Sequence, residues 1–267
     1  MIAVLFLATL PLWTPTVDAQ EMRVYTRVYD VDEGAGKPSR SLTLFHHGRV
    51  YDYIPAADEV TILEPMHNRF TLLNAGRNMA TTVEFDEIQR ILKISGDVVR
   101  ARVAELEGES DRTARDAAAF LRFQLEPQFE PSFNESRGTL QLKSPTLGYS
   151  IETTKPEEAA VVALWTKYAD WTARLNYVLH PGAVLPAPRL ALNAVLSRKQ
   201  RIPTQVELQT NVAPKRHLRA EHRIDWELDS GSLALINRWE TLLRSRSVKR
   251  VTFAQYQRTL LTAAQSR

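Results

Sequence analysis

Six histidines are the side chains best suited to proton transfer or metal ligation near neutral pH. His46 and His47 are adjacent in a stretch that reads as strand, so their side chains are expected on opposite sheet faces, too divergent to share a metal ion. His217 and His222 lie five apart on a second strand and are again expected on opposite faces, while His67 and His180 sit beside turns. No H-E-x-x-H or comparable metal spacing occurs, and His222 falls on the apolar side of its strand, as a core histidine would. The segment Asp30-Val31-Asp32-Glu33-Gly34 resembles the opening of a calcium loop. Gly34 stands at its fifth position and Ser41 where the bidentate Glu belongs, so it reads as an acidic hairpin loop.

Nucleophilic chemistry has no stronger sequence support. There is no G-x-S-x-G, and Asp229 or Ser230 before Gly231-Ser232 is simply placed to cap a helix. Ten glycines form neither a phosphate loop nor a dinucleotide fingerprint. Asp86/Glu87 and Glu157/Glu158 fall in first turns of helices, where the macrodipole accounts for them. The chain has no cysteine, which excludes disulfides, thiolate ligands, thiol nucleophiles and lipid attachment at cysteine. The sequence therefore nominates no catalytic residue, no metal ligand, no cofactor-binding residue and no cofactor.

The aromatic residues can do binding chemistry. Tyr51 and Tyr53 share one strand face, Tyr25 and Tyr29 another, and Trp165, Tyr168 and Trp171 crowd one helix. Such faces either build a core or line an apolar groove between sheet and helix, which makes Tyr51, Tyr53, Trp165, Tyr168 and Trp171 the ligand-groove candidates.

The elements that would position them begin with short strands at Val24–Val28, Leu42–Phe45, Val50–Ile54, Val60–Leu63, Arg69–Asn74 and Ala80–Val83. Strands about ten residues apart, separated by turn residues, predict an antiparallel meander. The period then changes: Phe85, Ile88, Ile91 and Leu92 predict a helix that stops at Ser95-Gly96. Asp97 is placed to cap a second helix ending at Gly108, and Ser110 a third. Pro127 and Pro131 predict a connection, with a subdivision point near 125–135. A hairpin follows over Thr139–Thr153, then a long helix from Pro156 to about Leu179 with Leu164, Tyr168, Trp171, Leu175 and Val178 on one face. A short helix near Arg189–Arg198 and a strand through Val206 and Leu208 lead to the clearest strand, HLRAEHRIDWELD. There Leu218, Ala220, His222, Ile224, Trp226 and Leu228 alternate with charged residues, predicting one buried and one wet face. Helices through Leu233–Leu243 and Phe253–Ala264 close the chain. The expected fold is α+β: a meander and hairpins packed against several helices, with a helix-rich C-terminal half and the number of sheets open.

Residues 1–19 read as a cleavable signal peptide, leaving residues 20–267 as one α+β domain. The stretch is apolar from Ile2 to Leu10, carries no charged side chain before Asp18, and places Val17 and Ala19 at the small-residue cleavage positions. The apolar run is about half the roughly 20 residues of a membrane span. The mature protein is accordingly expected in the periplasm or outside the cell. Charge is uneven: from Arg198 onward there are 14 Lys and Arg against 6 Asp and Glu, whereas Gln20–Ser197 holds 20 against 24. The basic part could meet an anionic envelope surface or lipid, or be a solvated face; nucleic acid is not an expected partner. The envelope protein partner, if one exists, has no signature in the sequence.

The stretch TLFHHGRVYDYIPAADEVTILEPMHNRFTLLN resembles the strand–turn pattern of LolA-type lipoprotein carriers. That resemblance implies an incomplete antiparallel barrel, covered by helices, that holds an acyl chain. The chain differs in starting directly with a strand and in its long helical half. It is also similar to uncharacterised exported proteins of planctomycete-like bacteria, which imply no activity. Three functions stay open: a non-catalytic exported envelope binding or interaction protein, a carrier of lipid or another amphiphile in a sheet–helix groove, and an exported hydrolase using groups near His46, His47 or His67.

Overall fold

A computed structural model describes residues 21–32, 36–180, 182–212 and 215–265, with side chains described as far as residue 260. The expected signal peptide and most of the acidic loop after Asp32 lie outside the described residues.

The meander forms as its turns dictate. Strands β1 (Met22–Asp30), β2 (Ser39–His46), β3 (Arg49–Ile54), β4 (Glu59–Glu64), β5 (Arg69–Asn74) and β6 (Met79–Glu84) pair in order, all antiparallel. His47 and Gly48, with φ of 47° and 73°, make the two-residue turn between β2 and β3, in the primed geometry that matches strand twist. The next three turns, PAAD, PMHN and AGRN, each span four residues and end on a left-handed residue: Asp58, Asn68 and Asn78. Asn and Asp tolerate that conformation better than other non-glycine residues, so the turn chemistry sets the register of the whole run.

Helix α1 (Phe85–Glu107) is continuous, contrary to the break expected at Ser95-Gly96. A mid-helix glycine costs only about 1 kcal/mol relative to alanine, too little to stop a helix whose flanking turns are bonded and packed. Asp97 does not cap; it pairs with Arg100 at 2.6 Å within the same helix. Helix α2 (Arg112–Leu125) is capped by Asp111, which accepts from the Ala114 amide, one residue beyond the expected Ser110. Pro131 sits inside a strand, β7 (Glu130–Asn134), which is tolerated because β7 is at the sheet edge.

Strands β8 (Thr139–Lys143) and β9 (Leu147–Thr154) form the expected hairpin. Helices α3 (Ala159–Leu179) and α4 (Ala187–Arg198) lead to β10 (Ile202–Thr210) and β11 (His217–Asp225). Strand β11 pairs with β1, so residues before and after 125–135 join one twelve-stranded sheet, ordered β12-β6-β5-β4-β3-β2-β1-β11-β10-β9-β8-β7. Among the described residues only β12 (Lys249–Arg250), beside β6, runs parallel. Trp226 and Leu228 fall beyond the end of β11, and Trp226 is 46% exposed rather than buried.

One sheet face carries the main core: Phe45, Val50, Leu63, Phe70 and Val83 against α1, α3 and α6 (Phe253–Gln265), with α2 and α4 over the β8–β10 end. Tyr256 of α6 is fully buried and donates to Glu59 at 2.7 Å. On the other face α5 (Ser230–Arg244) covers the meander, with Ile236 and Trp239 packed on Leu44, Tyr51, Val60 and Leu73. Beyond it, that face over β1, β10 and β11 is the predicted wet one, where Arg27 faces Glu221 and Glu207 faces Arg219. Among the described residues, no helix is long and apolar enough to cross a membrane.

Candidate functional site

A pocket of about 440 Å³ opens between the middle of the sheet and the α3–α4 pair. Its floor follows from register. Thr26 pairs with Ser41 on one side and His222 on the other, and Thr43 lies one row along on the same face. Its roof is the α3 stripe Trp165, Ala169, Thr172, Ala173 and Asn176, at steps of three and four. The three small residues in the middle of that stripe leave the helix standing off the sheet. One wall is the α3–α4 connection, Val184 to Pro186, pinned where the Leu185 amide donates to Gln124 of α2 at 2.9 Å. Arg189, in the first turn of α4, closes the lining.

Hydroxyl, amide, indole, imidazole and guanidinium groups share the wall with apolar side chains. His222 Nδ1 lies 2.9 Å from the Thr26 hydroxyl, while its Nε2 is buried and has no hydrogen-bond partner among the described residues. Trp165 Nε1 is buried and unpartnered in the same way, with its ring 5.9 Å from that of His222. Removal from water, reinforced by the nearby Arg189 charge, pushes the His222 imidazole down to about 4, so it is neutral at pH 7. Deeper in the sheet, Asp52 accepts from Tyr168 Oη at 2.9 Å and from Thr43 Oγ1 at 3.2 Å. Desolvation raises the Asp52 carboxyl above its ordinary range despite those two donors, and it raises the Tyr168 hydroxyl as well, with the Asp52 charge adding to the effect. Among the described residues Arg189 has no carboxylate partner.

The five aromatic candidates do not converge on one groove. Trp165 and Tyr168 line the pocket. Trp171, on the next turn face, stacks on Phe85 of α1 at an interplanar angle of 17° with Arg174 over its ring. Tyr51 and Tyr53 point to the opposite sheet face and pack on Trp239 of α5, where Tyr51 also donates to Glu240 at 2.9 Å. Strand alternation decides this: Asp52 faces α3, so its two neighbours cannot.

The sequence reading missed His222, Arg189 and Asp52 as site residues. His222 does lie on the inward face of β11, yet that face borders a pocket at this point instead of packed core. Asp52 gave one signal, a carboxylate in phase with the apolar residues Val50 and Ile54.

The histidine geometry also differs from expectation at one place. His47 leaves the strand for the left-handed turn, so alternation ends at His46 and the two imidazoles lie with centroids 4.0 Å apart. His67 is exposed beside Glu64, at 3.5 Å, and His217 sits on the wet face near Glu207, opposite to His222 as expected. The basic residues after Ser197 are dispersed: Arg201 lies over Phe133, Arg219 over Tyr29, and Arg250 donates to the Leu243 carbonyl. In comparison with known proteins, no family model matches the chain and no curated protein matches it.

Proposed function

We propose that this is an exported, non-catalytic binding protein that holds a small amphiphile, with an acidic head group, in the pocket between sheet and α3. One observation carries the reading: Trp165 and His222, each with a buried ring nitrogen that has no hydrogen-bond partner among the described residues, line the pocket together with the cation Arg189. A buried donor left unpaired costs about 1–3 kcal/mol, which a ligand oxygen would recover. In the tautomer in which the Thr26 hydroxyl donates to Nδ1, His222 carries its proton on Nε2, and a carboxylate is the ligand that would match it together with Trp165 Nε1–H and Arg189. The volume lies within the roughly 300–1,000 Å³ of small-molecule sites. The resemblance to LolA-type carriers, in which helices cover a sheet around an acyl chain, points the same way. A hydrolase that used His222 in this pocket has less support, because an imidazole lowered to about 4 is a weak general base at neutral pH.

The test is a titration of the full chain with dodecanoate and with dodecanol, read by tryptophan fluorescence and by native mass spectrometry. Dodecanoate is expected to bind with one molecule per chain, and dodecanol more weakly. Arg189→Ala should weaken dodecanoate about tenfold, the worth of one charge-assisted contact, and leave dodecanol unchanged. Ala173→Trp, which fills the pocket, should abolish both. Binding that survives Ala173→Trp, or no binding of either probe to the parent chain, would overturn the reading.

A further inference from the structure

A second group of chemistry-bearing side chains lies away from the pocket, where the first and second strands meet the β2–β3 turn. Met22 pairs with Phe45, so the next residues outward, Glu21 and His46, are cross-strand neighbours. Glu21 Oε1 stands 2.8 Å from His46 Nδ1. His47, which on a continuing strand would point away, is turned back by its left-handed backbone, φ 47°, ahead of Gly48 at 73°. Its ring lies 4.0 Å from that of His46, tilted by 54°. One ligand atom from each of Glu21, His46 and His47 can be chosen so that all three lie within 4.8 Å of one another.

We propose that Glu21, His46 and His47 form a binding site for a divalent transition-metal ion of the zinc type, held by two imidazole nitrogens and one carboxylate oxygen. Zinc–ligand bonds of about 2.0–2.2 Å require donor atoms a few ångströms apart, the separation at which these three groups already stand. Two imidazoles with one carboxylate suit zinc or copper, whereas calcium and magnesium require all-oxygen cages. Three protein ligands leave a fourth position for water. Two arginines share this sheet face: Arg23, two residues after Glu21 and paired with Asp225 and Asp229, and Arg49, the cross-strand partner of His46. Arg49 is engaged by Glu240 at 2.7 Å and Glu64 at 3.5 Å, which compensate its charge. His46 is the last residue of a paired strand, His47 lies in a two-residue turn and Glu21 immediately precedes β1, so the backbone of two of the three groups is already fixed by strand or turn.

The experiment uses the full chain without a histidine tag, stripped with a chelator and then titrated with zinc in competition with a chromophoric chelator. One zinc per chain is expected, and cobalt substituted at the site should give visible absorption of a four-coordinate centre. His47→Ala removes an exposed side chain without touching the core and should weaken zinc at least tenfold; Glu21→Gln should do so too. Retention of no zinc, or zinc binding that His47→Ala and Glu21→Gln leave unchanged, would overturn the site and indicate only a Glu21–His46 ion pair. Neither outcome bears on the amphiphile pocket.

Discussion

Replacing His222 with glutamine should flatten the acid side of the stability profile. The imidazole moves from 6.5 in an ordinary environment to about 4 in the folded protein, because burial and Arg189 both disfavour its charged form. Between those values the unfolded chain binds a proton that the folded chain refuses, so stability rises with pH across the window. At pH 7 and above both states are neutral there and the residue adds no pH dependence. As pH falls below about 6.5 the penalty grows, and by about 4 it is complete. At 1.36 kcal/mol per unit, the shift corresponds to about 3 kcal/mol. Glutamine retains a hydrogen bond to Thr26 but does not titrate. Urea unfolding at half-unit steps from pH 7.5 to 3.5 should show the parent losing about 3 kcal/mol more than the variant, with most of the difference below pH 6. Parallel profiles for the two proteins would refute the desolvation argument.

Two further outcomes follow from packing and backbone. Trp239→Ala removes the side chain that stacks on Tyr51 and Tyr53 and is 1% exposed, and should destabilise by about 3–5 kcal/mol in denaturant unfolding. Gly138→Ala forces a side chain onto a left-handed residue, φ 63°, with its Cβ 3.0 Å from the Thr153 carbonyl oxygen, and should cost roughly 1–2 kcal/mol or more. Gly76→Ala has an ordinary φ and no contact closer than 3.7 Å, and serves as its control, with a change of less than about 1 kcal/mol expected.

The meander was readable because its turns carry their own chemistry: Asp58, Asn68 and Asn78 each close a four-residue turn in the left-handed conformation. The charged face of β11 was readable from the alternation of residue types, but burial does not follow it: Leu218, Ala220, His222 and Ile224 are half-buried, as are Arg219, Glu221 and Asp225. Positions that failed are those where a local signal was outweighed. Gly96 reads as a stop, yet the helix runs through it because bonding on either side exceeds its cost. Pro131 reads as a connection, yet an edge strand leaves its missing donor unneeded. The pairing of β11 with β1, which makes one sheet from two runs of strands, joins residues about two hundred apart and has no local trace.

The pocket was hard to read for a related reason. On α3 the large residues Leu164, Tyr168, Trp171, Leu175 and Val178 attract notice, and most of them fill core or helix–helix contact. The cavity arises on the adjoining stripe, where Ala169, Thr172 and Ala173 supply too little volume to reach the sheet. Small residues at helical spacing are ordinary in a close-packed interface, so their meaning depends on what stands opposite. Opposite them are Thr26, Ser41 and Thr43, which are small as well. A core selected only for stability would place a large apolar side chain on one of the two surfaces, since each buried methylene contributes about 0.8 kcal/mol. Small residues on both surfaces, beside two buried ring nitrogens without partners among the described residues, forgo that stabilisation here, and on the proposed reading a ligand would restore it.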